Sequence, residues 1–318
     1  MVVWDKIKAM GTDVTISIVT SSASEARKDI EDANKVILEF EKNFSRFKKD
    51  NELHKLNNWH KGEMKVSDMM VDLLQKSKDV YKETNGIFDP TIVKTLKMYG
   101  YDESIDFDKG DVNIYKENSV DDIRQNFINR TKLDKLIIYK EKNIVDVPRG
   151  FDVDFGGIGK GYIVDLVAQK LKKKHKNFWI SAGGDMYLFG KNEGSENWQV
   201  DFQNPLNFQT PMGSLDVLDN QMSIATSGIT KRKGKTGDIL WNHIINPKTG
   251  FCVQDNILMA TVVANTVCDA DVLAKTVLIL GEKEGVRFIE NRPHVECLLI
   301  DKNLKMHLSS GMDKYLVK

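Results

Sequence analysis

The feature that most constrains this chain is the run Asp154-Phe-Gly-Gly-Ile-Gly-Lys-Gly161, which follows a strand-like segment and leads into an amphipathic helical pattern. Glycines at such a junction let the backbone approach a ligand closely, and free amides at a helix start favour anions. Lys160 adds a point charge suited to phosphate. The run is not a Walker loop, because no Ser or Thr follows the lysine. It is not a Rossmann fingerprint either, because the strand pattern around it is wrong for one. Taken alone, it is either a phosphate-binding turn or a tight strand-to-helix turn that needs its glycines.

The rest of the chain mixes strand and helix patterns. Met10 to Val19 alternates and is rich in β-branched residues, as a strand requires. Ser22-Ala-Ser-Glu25 reads as a capping box, opening a helix with Ile30, Ala33, Val36, Ile37, Phe40 and Phe44 on one face. A second helix starts near Ser67 and stops at Asn85-Gly86. Residues 102–135 are polar and weakly periodic, and read as a surface excursion with one short helix. Leu136 to Tyr139 and Asn143 to Val147 form a strand pair, and the helix after Gly161 turns Ile163, Leu166, Val167 and Leu171 inward. Strands then dominate: Phe178 to Ser181, Trp198 to Phe202, Gly213 to Leu218, Asp238 to Ile245 and Leu258 to Ala264. Helices from Cys268 to Leu280 and from Glu282, and a strand from Val295 to Ile300, complete the pattern. Without strict βαβ alternation, this predicts an α+β fold of mixed or antiparallel sheets with packed helices.

Composition narrows the function classes. With 46 basic and 46 acidic residues the net charge is zero, which argues against a general nucleic-acid binder. No run of about 18 apolar residues exists, so no membrane span is expected. Cys252, Cys268 and Cys297 form no CxxC pair, which disfavours a zinc ribbon or a disulfide framework. The opening Met1-Val-Val-Trp-Asp-Lys lacks the features of a secretory leader. A cytoplasmic location is therefore expected for the chain as written, and an extracytoplasmic one if a leader has been removed.

Four further segments could carry chemistry. Ser181-Ala-Gly-Gly-Asp185 is either a plain turn or a turn that presents an Asp to a site. Thr226-Ser-Gly228 precedes a basic stretch, Lys231 to Lys235, expected as a solvated hairpin tip. His243-Ile-Ile-Asn-Pro-Lys-Thr-Gly250 places a histidine in a strand just before a turn marked by Asn-Pro and Thr-Gly. Asp271 and Lys275 stand four apart on one helix face. Apolar neighbours such as Val272, Leu273 and Val277 favour a partly buried pair over an ordinary surface one.

In order along the chain, these segments resemble the ApbE family of FAD:protein FMN transferases. The matching pieces are Met10-Gly-Thr12, Phe44 to Phe47 with Asn51-Glu-Leu53 and Leu56-Asn57, Asn85 to Thr91, Asp154 to Asp165, Ala182 to Asp185, Ala225 to Gly228, His243 to Gly250, and Ala270 to Ala274. The resemblance implies one ApbE-like domain over residues 1–318 with two lobes, the stretch at about 102–135 lying outside the motifs. It implies transfer of FMN from FAD to a Ser or Thr hydroxyl of an acceptor protein, with release of AMP. It implies that Met10, Phe47, Ile87, Phe88, Asp89, Asp154, Lys160 and Ile245 line the FAD site. It implies that Gly157 and Asp271 hold Mg²⁺, and that His243 is the catalytic base.

Two positions depart from the family pattern. The family carries a Thr metal ligand four residues after the metal-binding Asp, and here that residue is Lys275. The usual Asp before the Pro of the histidine turn is Asn246. Both changes make the site more positive. Three outcomes are open: Lys275 points away and water completes the metal shell; Lys275 replaces the metal's charge and binds the diphosphate; or turnover is lost and FAD is only bound. The function readings are accordingly a transferase first, a non-catalytic FAD-binding protein second, and an FAD pyrophosphatase third.

Overall fold

The alternation after Gly11 becomes the strand Thr12–Val19, next to the edge of an eight-stranded sheet in the computed structural model. The structure describes residues 1–101, 112–114, 118–218, 220–236, 239–254 and 256–317. Contacts group the chain into two compact units. The first comprises Met1–Glu41, Ile158–Gly228 and Asp255–Lys318, and the second Lys42–Gly157 and Ile229–Gln254. Seven α-helices occur among the described residues: α1 (Ala23–Phe44), α2 (Glu52–Asn57), α3 (Asp68–Glu83), α4 (Val93–Met98), α5 (Val120–Ile128), α6 (Gly159–Lys172) and α7 (Val267–Glu290). No helix among them is long and apolar enough to cross a membrane.

The large sheet belongs to the first unit. Its order is Val2–Ala9, Thr12–Val19, Phe178–Ala182, Asp185–Phe189, Gln221–Gly228, Ile257–Ala264, Glu296–Asp301 and Met306–Leu308. Every neighbouring pair is antiparallel. The fold is thus α+β, as expected. Ile16, Ile18 and Ile180 are fully buried on one face, and each such side chain contributes about 1.5–3 kcal/mol. The strands Val2–Ala9, Asp185–Phe189 and Gln221–Gly228 were not legible as strands in the sequence.

Helices α6 and α7 pack on this sheet and on each other. α7 is buried along most of its first half, with Val267, Ala270, Val272, Ala274, Val277 and Leu278 enclosed. Gly281 adopts φ 77°, ψ −174°, so the element is two helices joined at a glycine break, as the sequence predicts. The two helix starts meet closely: a Cβ on Gly161 would lie 2.5 Å from the Cys268 Cα. Asp165 of α6 locks the contact, its carboxylate accepting the Val267 and Cys268 amides at 2.8 and 2.9 Å.

The second unit holds two small sheets. Gly62–Lys65, Ile144–Val147 and Ile137–Tyr139 form one, antiparallel throughout. Ile239–Asn242, Lys233–Thr236 and Val112–Ile114 form the other, whose last pair is parallel. α3 starts at Ser67, whose hydroxyl accepts the Met70 amide at 3.1 Å.

Three expectations are corrected here. The basic residues Lys233 and Lys235 lie in a paired strand rather than at a hairpin tip. The strand expected over 238–245 is Ile239–Asn242, position 238 lying outside the described residues, and Ile245 joins Cys252 in an isolated bridge. Residues 118–135 of the expected surface excursion are packed: α5 buries Ile123 and Phe127, and Leu133 is fully buried. Three inward apolar residues in a polar stretch were too few to read as periodicity. Residues 102–111 and 115–117 of the same stretch lie outside the described residues.

Candidate active site

In the first unit, local turns converge on a buried charge cluster. Gly183 and Gly184 have φ of 66° and 97°, making a two-residue hairpin turn between paired Ala182 and Asp185. Both readings of this segment therefore hold: the glycines make the turn, and the turn delivers a buried carboxylate. Asp185 pairs with Lys160 from the start of α6. Lys160 Nζ also lies 3.9 Å from Asp271 Oδ2 in α7. Lys275, one turn further along α7, donates to Asp271 Oδ1 and to the Asp271 backbone carbonyl, the latter at 3.2 Å. Burial alone would push the Asp271 carboxyl up. The Lys160 and Lys275 ammoniums overcome that and hold it below the usual carboxylate range.

The donor set can be tested for the divalent cation that the family pattern implies. Asp271 Oδ2 is buried and has no hydrogen-bond partner among the described residues, which by itself would welcome a cation. Its other oxygen, however, is taken by an ammonium, and a second ammonium stands beside it. Two unit charges 4 Å apart interact by about 4 kcal/mol at an effective dielectric of 20, and an ammonium repels a dication twice as strongly. Thr276 does not substitute as ligand, since its hydroxyl donates to the Val272 carbonyl at 3.0 Å. Among the described residues no three His, Cys, Asp or Glu side chains gather into a metal site. The residues around Asp271 do not fit Mg²⁺.

In the second unit, His243 lies just beyond the strand Ile239–Asn242, half-buried, its ring edge-on to Tyr101 at 6.5 Å. Its Nδ1 is 3.4 Å from the Arg232 carbonyl. A carbonyl only accepts, so this contact is a hydrogen bond in the tautomer that carries its proton on Nδ1. The turn behind it is closed by Asn246, whose carbonyl accepts the Gly250 amide at 2.8 Å and whose side chain accepts the Lys248 amide at 2.9 Å. Gly250 is required there: φ is 79°, and a Cβ would meet the Phe127 ring at 2.5 Å.

Arg130 ties this turn to the 87–89 segment. Its guanidinium pairs with Asp89 at 2.9 Å and reaches the Pro247 carbonyl at 3.3 Å. Asp89 also accepts the amide and hydroxyl of Thr91 on its other oxygen, at 2.9 and 2.6 Å. Its carboxylate is thus fully engaged in holding the segment that carries Ile87 and Phe88. Ile87 is half-buried and Phe88 buried. Ile245 is 1% exposed and packs with Leu96, Tyr99, Ile123 and Trp241, so its side chain is core.

Arg46 was missed by sequence reasoning. It is 4% exposed at its side chain and pairs with Asp154 at 3.5 Å. Its guanidinium lies 4.2 Å from the Phe47 ring centre and 4.7 Å from that of Tyr101. Both terminal nitrogens are buried and find no hydrogen-bond partner among the described residues. Asp152, two residues before Asp154, is also buried with an unpartnered oxygen, and burial pushes its carboxyl up. Phe47 itself is exposed, an aromatic face open to a ligand. Arg46 and Arg130 could have been suspected only from their neighbours, Phe47 in one case and the buried Asp89 in the other.

The remaining expected site residues fall on turns. Met10, half-buried with φ 54°, caps the hairpin before Thr12 and donates its amide to Glu41 at 2.8 Å. Gly157 lies in the turn preceding α6. The expected residues therefore form two groups. Met10, Lys160, Asp271 and Lys275 belong to the first unit, and Phe47, Ile87, Phe88, Asp89, Asp154, Gly157, His243 and Ile245 to the second.

A family model described as the ApbE family matches residues 10–299. The chain belongs to the ApbE family. Among similar proteins, an FAD:protein FMN transferase of Vibrio cholerae is 24% identical over 316 residues, covering 97% of this chain and 91% of that one. One of Haemophilus influenzae is 26% identical over 300 residues, covering 92% and 85%. The ApbE protein of Thermotoga maritima superposes with a TM-score of 0.87 at 20% identity, each chain covered in full. The flavin transferase ApbE of Vibrio cholerae superposes with a TM-score of 0.83 at 23% identity, with 99% of each covered. These likenesses show that the chain has the ApbE fold.

Proposed function

We propose that this ApbE-family protein transfers FMN from FAD to a hydroxyl of an acceptor protein. The observation that carries the reading is that relatives aligned over nearly the whole chain bear that activity in their names. The acceptor's Ser or Thr oxygen forms a bond to the phosphorus of the FMN half. The bond from that phosphorus to the bridging oxygen breaks, and AMP leaves with that oxygen. The hydroxyl proton passes to His243, whose Nδ1 contact with the Arg232 carbonyl suits the tautomer with its basic nitrogen at Nε2. Phe47, Tyr101 and Arg46 supply an aromatic face and buried donors suited to a flat heterocycle with carbonyl edges. Lys160 supplies positive charge for the diphosphate. In-line displacement at phosphorus needs positioning and charge neutralisation more than covalent help.

The test is AMP release from FAD with and without a flavin-acceptor protein. Release that depends on the acceptor supports transfer. Release in its absence supports an FAD pyrophosphatase, and none with FAD bound supports a binder. His243→Ala is expected to lower transfer by roughly 10²–10⁴-fold, the range for losing a general base, while FAD affinity stays unchanged. A fall in affinity without a fall in turnover would remove His243 from the base role.

A further inference from the structure

We propose that Lys275 is a built-in replacement for the divalent cation. Its ammonium occupies the carboxylate of Asp271, and together with Lys160 it presents positive charge to the diphosphate of FAD, so that the reaction proceeds without added metal. The inference rests on the flavin-transfer reading and adds to it the means of charge neutralisation.

Burial is layered in the cluster. The Asp271 and Asp185 side chains are 2% and 3% exposed, whereas those of Lys160 and Lys275 are 19% and 17% exposed. The lysine side chains are the members of the cluster that reach solvent, and both carboxylates lie deeper. Asp271, the expected metal ligand, therefore offers an incoming cation one engaged oxygen and one flanked by Lys160. An incoming anion meets N–H donors. A lysine has three, and Lys275 uses two of them on Asp271. The third has no acceptor among the described residues and is the one proposed for a phosphate oxygen. The placement is rigid, because Lys275 is one turn from Asp271 on α7 and Lys160 sits where Gly161 and Asp165 clamp α6 onto α7. Of the three outcomes the sequence left open, this geometry favours the second. Lys275 does not point away from Asp271, which argues against a water-completed metal shell. The lysine side chains remain partly exposed, as diphosphate binding requires.

The first arm of the test is a titration of the full chain with Mn²⁺, followed by electron paramagnetic resonance, and it needs no variant. The free-ion signal is expected to stay undiminished up to millimolar ion. Loss of one equivalent of signal in the micromolar range would overturn the proposal. Lys275→Thr is expected to bind one Mn²⁺ at least tenfold more tightly than the parent chain. In the second arm, AMP release with acceptor is compared in chelator and in Mg²⁺. The parent chain is expected to differ less than twofold between the two, and Lys275→Thr to work only with Mg²⁺. More than tenfold stimulation of the parent chain by Mg²⁺ would overturn the proposal. In the third arm, Lys275→Gln is expected to weaken FAD binding in chelator about tenfold and to leave riboflavin, which carries no phosphate, unaffected. Equal loss for both ligands would count against a diphosphate contact. If no tube releases AMP, the transfer reading fails, while the Mn²⁺ and FAD-binding arms still decide the role of Lys275.

Discussion

The Asp271 cluster of the first unit and the Arg46 region of the second treat buried charge differently. In the first, Asp185, at the start of the strand Asp185–Phe189, and Asp271, near the start of α7, are each bound to an ammonium, and the cluster sums to zero. In the second, Arg46 is buried and meets Asp154 through Nε at 3.5 Å, while its two terminal nitrogens and one oxygen of Asp152 find no hydrogen-bond partner among the described residues. A buried polar group without a partner costs about 1–3 kcal/mol, so it persists only where something else requires it. On the proposed function, the difference separates charge that holds the fold from charge held ready for a ligand. Asp271 and Asp185 belong to the first kind and Arg46 to the second, while the partly exposed Lys160 and Lys275 serve both.

The comparison can be broken most forcefully at Asp271. Removing one partner of a buried pair costs about 3–5 kcal/mol, so Asp271→Ala is expected to lose that much in urea unfolding at pH 7. The same pair fixes a pH dependence. Because the folded-state carboxyl lies below its ordinary value of about 3.9, its contribution is fully present above that value and fades as pH falls through the depressed one. The parent chain is expected to lose the Asp271 contribution below about pH 4, and the variant's stability to vary less over that window. Parallel curves would show that the pair stabilises nothing.

Gly161→Ala probes the clamp rather than the charge. A methyl 2.5 Å from the Cys268 backbone forces the helix starts apart, an overpacking cost of about 1–3 kcal/mol. Unfolding by urea should show that loss, and unchanged stability would mean the two helices are not held as described. Arg46→Ala sharpens the other side. With the Asp154 pair and the stacking on Phe47 and Tyr101 lost, thermal stability should fall modestly, while the FAD dissociation constant increases about tenfold, the equivalent of roughly 1.4 kcal/mol. A large drop in melting temperature with unaltered FAD affinity would reassign Arg46 to the fold.

Much of this arrangement was legible in the sequence because it rests on local rules. The glycine turn into α6, the helix break at Gly281 and the i, i+4 spacing of Asp271 and Lys275 are each written in a few consecutive residues. What was not legible depends on pairing over long separations. Arg130 looks like a surface residue until Asp89, 41 positions away, is placed beside it. Asp185 reads as a turn residue until Lys160 arrives from another element. The strand Gln221–Gly228 is not legible because its middle is buried on both faces and so lacks a period-two pattern. Ile245 was expected at the flavin, and its side chain proves to be core, because a motif position carries no information on which atoms face the ligand.

The most direct test of the account is the intact mass of a flavin-acceptor domain after incubation with this protein and FAD, with Mg²⁺ in one tube and chelator in the other. The account predicts a gain of one FMN in both tubes. An acceptor of unchanged mass in both tubes, with the FAD still intact, would contradict it.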